Sequence, residues 1–137
     1  MSKGDTTETD VLNYVFKATA FPWNAISNLY IGLHTQDPGE AGVQTTYEAT
    51  YGGYLRVAVV RTAAGWTVSG NSVTNASVIT FPICSGGTST VTYISVGTVA
   101  SPDAGQILYS GALASSLVVS AGITPQFGAG ALVISED

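Results

Sequence analysis

Charge is what this sequence has least of. Only 9% of its 137 residues are Asp, Glu, Lys or Arg, where soluble domains carry about a quarter. Lys3, Lys17, Arg56 and Arg61 are the whole cationic inventory, and the formal net charge is −5. Binding a nucleic-acid backbone needs clustered cations, so no nucleic-acid partner is expected. From Thr62 to Ser135 the single formally charged side chain is Asp103. Such a surface lacks the Lys and Glu that usually blunt sheet edges and keep monomers apart. It is either a hydroxyl-rich exposed sheet or a surface partly covered by another subunit, and the composition favours covering.

Other absences narrow the classes further. Cys84 is the only cysteine, so an intrachain disulfide is impossible. Its surroundings, FPICSGG, offer no histidine or cation to activate a thiol, which leaves a small buried hydrophobe. No apolar run reaches the ~18–20 residues of a helical membrane span, so no membrane partner is expected. The N-terminal MSKGDTTETD is polar and acidic and lacks the pattern of a signal peptide. Synthesis in the cytoplasm is the expectation.

What is present is apolar residue, 45% of the chain, in a length that suits one domain with a real core. The expected division is a single domain over 1–137, with an N-terminal arm and helix in 1–24 and a β-sandwich in 25–137. Val11, Leu12, Val15 and Phe16 recur at helical spacing over Asp10–Ala18. Thr6, Thr7 or Thr9 is the expected cap and Pro22 the stop. After that the period becomes two. Leu29, Ile31 and Leu33 alternate with Tyr30, Gly32 and His34, the mark of a half-buried strand. Further strands are expected over Tyr54–Arg61, Trp66–Val68, Asn71–Asn75, Val78–Phe81, Val91–Val96, Gln106–Ser110, Leu113–Ser120, Ile123–Phe127 and Ala131–Ser135. Short strands separated by turns, with no alternating helices, predict an all-β, jelly-roll-like antiparallel sandwich of about eight strands with a short N-terminal helix. The first nine residues and Glu40–Thr50 read as mobile or ordered by a partner.

Candidate chemistry is thin. His34 is the only histidine, with Asp37 and Glu40 just beyond it in HTQDPGE. A metal site wants more ligands of matching type, and the spacing is not that of a calcium loop. No GxSxG elbow occurs, and a triad would need the same histidine. Asp37, Glu40, Glu48 and Asp103 fall in predicted loops, where acids are ordinary. The glycine-rich SGG and GAG fragments match no phosphate-binding motif. No catalytic residue, metal or cofactor is therefore expected. The tyrosines Tyr30, Tyr47, Tyr51, Tyr54, Tyr93 and Tyr109, with Trp66, suit either a sugar-stacking sheet or the core and rim of a β-protein. Trp23, on the irregular segment after the helix, either plugs an end of the sandwich or anchors a partner.

Several motifs lie in order along the chain: LYIGLHTQDPGEAG over Leu29–Gly42, GGYLR from Gly52, ITFP ending at Pro82, QILYSGAL from Gln106 and GAGALVI from Gly128. Together they resemble the capsid cement or decoration proteins of tailed bacteriophages, small virion proteins whose relatives also go under tail-fibre-like names. The resemblance implies a jelly-roll sandwich made in the host cytoplasm. It would dimerise on the outer surface of the capsid and stabilise contacts between major capsid protein subunits. A tail-associated or receptor- or carbohydrate-binding virion component is the alternative. The apolar residues Val11, Tyr14, Val15, Phe16, Phe21 and Trp23 are the expected capsid or subunit interface. Val11, Tyr14, Val15 and Phe16 exceed what so short a helix needs to cover one end of a sandwich.

Overall fold

The computed structural model describes residues 1–136; the expected sandwich span of 25–137 runs one residue beyond them. The fold is an all-β sandwich with one short helix. Strand β1 (Ser2–Lys3) is followed by helix α1 (Asp5–Lys17), β2 (Asn28–His34), β3 (Val57–Val60), β4 (Trp66–Ser69), β5 (Ser72–Asn75), β6 (Ile79–Thr80), β7 (Ser89–Gly97), β8 (Ile107–Val119), β9 (Gln126–Phe127) and β10 (Val133–Ser135). A five-stranded sheet has the order β1-β8-β7-β2-β3. Against it lie a three-stranded sheet, β10-β5-β4, and a two-stranded one, β6-β9. Every described pairing is antiparallel.

The core sits between these layers. Ile31 pairs with Val96 and Leu33 with Ile94, and all four are buried on the inner face of the large sheet. Phe81, Ile79, Leu132 and Ile134 close over them from the facing elements. Burying each such side chain is worth roughly 1.5–3 kcal/mol. Cys84 joins this core, its thiol directed at the Gly86 carbonyl 3.2 Å away. Tyr51 and Tyr54 pack edge to face at 5.4 Å, and Tyr54 stacks on Phe81. Those two tyrosines serve the core and not a sugar-binding platform.

Several boundaries differ from expectation, each for an identifiable reason. The helix begins at Asp5, five residues early, and none of the threonines caps it. Gly4 stands at the cap because the backbone passes β8 closely: a Cβ there would lie 2.4 Å from the Ile107 carbonyl oxygen. Asp5 and Glu8 in the first turn and Lys17 in the last complement the helix dipole. The helix stops at Ala18, left-handed at φ 52°, before Pro22 can act. The first nine residues are thus ordered, with β1 paired to Tyr109 and Ser110 of β8. Segment 40–50 is also packed: Gln44 is fully buried and its backbone N–H donates to the Gly105 carbonyl at 2.8 Å. Tyr54–Arg56 is not strand, because Arg56 turns inward to a polar partner. The two strands expected over 106–120 are one, β8, with a register shift opposite Thr92.

Candidate functional site

Both faces of β2 are covered. Gly32 and His34 point away from the core, yet they too are buried. The segment between β2 and β3 folds back over this outer face and brings a layer of polar side chains. The His34 Nδ1–H donates to the Thr46 carbonyl at 2.7 Å, since a carbonyl can only accept. Nε2 is then left to accept the Ser95 hydroxyl at 2.7 Å. Burial holds the imidazole below its ordinary pKa of 6.5, and Arg56 adds to this; the Thr46 carbonyl and the Glu48 charge oppose it without prevailing. His34 is therefore a neutral structural residue with both nitrogens occupied.

Beside it lies an ion pair. The Arg56 Nε and second guanidinium nitrogen donate to the two Glu48 oxygens at 2.7 and 2.8 Å. Its remaining nitrogen donates to the carbonyls of Val99, Ala100 and Asp103 at 3.1, 3.0 and 2.7 Å. The Tyr54 hydroxyl donates to Glu48 at 2.8 Å and accepts the Leu33 backbone N–H at 3.0 Å. Burial, then the Glu48 charge, pushes that phenol far above its usual value. Gln44 completes the layer: its side-chain oxygen accepts from the Thr98 and Val99 N–H groups at 3.1 and 3.0 Å. Asp37 and Glu40 remain outside on an exposed loop, where Asp37 accepts the Gly39 N–H at 2.8 Å. The structure thus separates the histidine from the two acids beside it in sequence. Among the described residues no group of three His, Cys, Asp or Glu is placed to hold a metal.

The same polar chemistry seats the helix. Thr7 and Asp10 are its buried residues. The Gln106 amide donates to both, at 2.9 Å each, and the Thr7 hydroxyl donates to the Ile107 carbonyl at 3.2 Å. The Trp23 Nε1–H donates to Asp10 at 3.2 Å. With its polar side held down, the helix turns apolar residues outward: Leu12 is 58% exposed, Tyr14 54%, Val15 63% and Phe16 79%. Val11, Phe21 and Trp23 are half-buried. Tyr14 stacks on Phe21 at 5.0 Å and Phe21 on Trp23 at 4.6 Å. The Arg61 guanidinium lies 5.2 Å from the Trp23 ring and donates to the Trp23, Asn24 and Ile26 carbonyls.

The six candidate interface residues lie on the helix and the loop after it but not on one face. Tyr14 joins Phe21 and Trp23 in the stack beside Asp10, whereas Phe16 points about 160° away around the helix, so the exposed apolar surface wraps around α1. Sequence reasoning left Leu12 out of that surface and missed its supports, Thr7, Asp10, Arg61 and Gln106. The spacing of Thr7 and Asp10, one helical turn apart, was the available signal, but a polar pair reads as a solvated face. An exposed apolar patch held by satisfied polar contacts is what a docking surface requires.

No curated protein matches the chain. Over residues 2–135 it matches the family described as Podophage GP4 fiber I protein gp80. The chain therefore belongs to that family of phage virion proteins and is a structural component of a phage particle.

Proposed function

We propose that the chain works by docking and not by catalysis, with the outward face of α1 and the Tyr14–Phe21–Trp23 stack as its anchor on another virion protein. One observation carries this reading: a helix seated by buried Thr7 and Asp10 while Leu12, Val15 and Phe16 face solvent. A free monomer has no use for that orientation. The only histidine is sealed in a hydrogen-bonded core, which also supports a non-enzymatic role.

The family description favours a place in the fibre apparatus. There the helix would fasten the subunit to its neighbours and leave the sandwich as a spacer or host-facing module. A second reading rests on the motif run from Leu29 to Gly42. On it the chain decorates the outer surface of the capsid as a homodimer and stabilises contacts between major capsid protein subunits. A ligand that binds only the assembled shell adds RT ln(1 + [L]/Kd) to its stability, and a two-fold dimer gains from effective concentration at its second contact.

Copy number per particle, measured by quantitative gel or mass spectrometry, separates the placements. A handful of copies supports the fibre and hundreds support the shell. The docking role itself is tested with Val15→Ser/Phe16→Ser, both at exposed positions. The variant is expected to fold normally and to be absent from purified particles. Incorporation at the wild-type level would refute the anchor.

A further inference from the structure

The sandwich is open along one seam. β8 meets β1 only at Tyr109 and Ser110. Met1 packs against Gly111, and from Ala112 to Val119 that side of the strand has no ladder partner among the described residues. Over 113–116 the strand has no Cα partner on β7 either, because the register shifts between Val91 and Tyr93. Among the described residues β9 pairs only with β6, and β10 only with β5. These three strands, each with an open edge, line one groove of about 980 Å³. Leu113, Leu117, Phe127 and Leu132 give it an apolar wall. Asp37 and Glu40 also line the groove, exposed and without a cation within ion-pair distance among the described residues.

We propose that this seam takes an extended, basic segment of a different polypeptide, added as a strand along β8 in line with β1. Unpaired backbone N–H and C=O groups supply the ladder bonds, as in other cases of strand addition. Small side chains at Ala112, Ala114, Ser115 and Ser116 leave room for a close neighbour beyond Met1, which packs against Gly111. Alternation of the guest's side chains sends one set toward the apolar wall and the other toward Asp37 and Glu40, which select lysine or arginine. A second copy of this chain fits poorly, because its cations are either engaged within the chain or carried on a helix and not on an extended segment. Lys3 pairs with Glu136 and Arg56 with Glu48. Arg61 is held by three carbonyls, and Lys17 lies at the end of a helix. This seam is separate from the helix face, so the inference stands whichever virion body the subunit joins.

The test titrates the native chain with a synthetic octapeptide alternating valine and lysine, and with a counterpart carrying glutamate in place of lysine. Backbone amide NMR shifts report the site. Expected are perturbations confined to Gly111–Val119 and to the 37–40 loop with the lysine peptide, and none with the glutamate peptide. Asp37→Asn/Glu40→Gln, which keeps the Asp37 acceptor, is expected to weaken the lysine peptide by about 3- to 10-fold, the scale of two rim ion pairs. Equal binding of both peptides, or shifts elsewhere with β8 silent, would overturn the proposal. So would sedimentation showing self-association that protects the same β8 amides from exchange.

Discussion

Around His34 both faces of the five-stranded sheet are buried, and they are built by opposite chemistry. On the inner face Ile31, Leu33, Ile94 and Val96 meet Phe81 and Ile134. On the outer face His34, Ser95, Gln44 and Arg56 are equally hidden, but each is held by directional hydrogen bonds. Apolar packing is non-directional and tolerates exchange among side chains of similar volume. A polar layer does not: every donor and acceptor must find its partner, or the desolvation cost stands unrecovered. The inner face therefore supplies cohesion. The outer face fixes one path for segment 35–56 and one seat for α1, and so decides which helix side reaches solvent.

Mutation of the two faces should separate these roles. The largest loss is expected for Glu48→Ala, which strands Arg56, whose side chain is fully buried. Breaking one partner of a buried pair costs about 3–5 kcal/mol, read from urea unfolding. Glu48→Ala/Arg56→Met should recover part of that loss, because the uncompensated charge is gone. If the double variant is no better than the single one, the network is a packing feature and the contrast between the faces fails.

Leu33→Ala comes next, at about 2–5 kcal/mol. It should leave the helix seat intact, with the Thr7 and Asp10 amides protected from hydrogen exchange as long as the protein remains folded. Third is a pH effect peculiar to the outer face. The folded His34 pKa is lowered from 6.5 by burial. Below about pH 6.5 the unfolded chain takes up a proton that the folded chain refuses, so stability declines as pH falls and levels off below the folded pKa. His34→Gln should flatten this slope across the weakly acidic range in unfolding curves taken at successive pH values. The smallest effect on stability is expected at Phe16→Ser, within about 0.5 kcal/mol of wild type. A larger loss there, measured by thermal denaturation, would mean that the helix apolar face packs against this chain after all.

The inner face was legible from periodicity. Leu29, Ile31 and Leu33 alternate, and alternation can be read without knowing what lies opposite. The outer face was not. His34 was read correctly as sharing a side with Tyr30, but nothing near it in sequence revealed that Ser95 would meet it 61 positions later. Segment 40–50 read as mobile or ordered by a partner; the partners of its polar Gln44 and Glu48, Val99 and Arg56, come from distant or unpredicted places in this same chain. The helix was recognised from its apolar spacing, and its start was misplaced because Gly4 and Asp5 acquire partners only from β8 and Glu40. The six interface candidates were chosen from an excess of apolar residues. Trp23 reaching back to Asp10 is what brings it and Phe21 beside Tyr14.

By itself the sequence determined the class of fold, one helix followed by many short strands, because side-chain periodicity is a local property of the backbone. It also determined the poverty of charge that suits a covered surface. Only the tertiary structure decided which way the helix faces and where the sandwich stays open. Those outcomes depend on pairings between residues far apart in the chain, and no local pattern specifies a partner that distant.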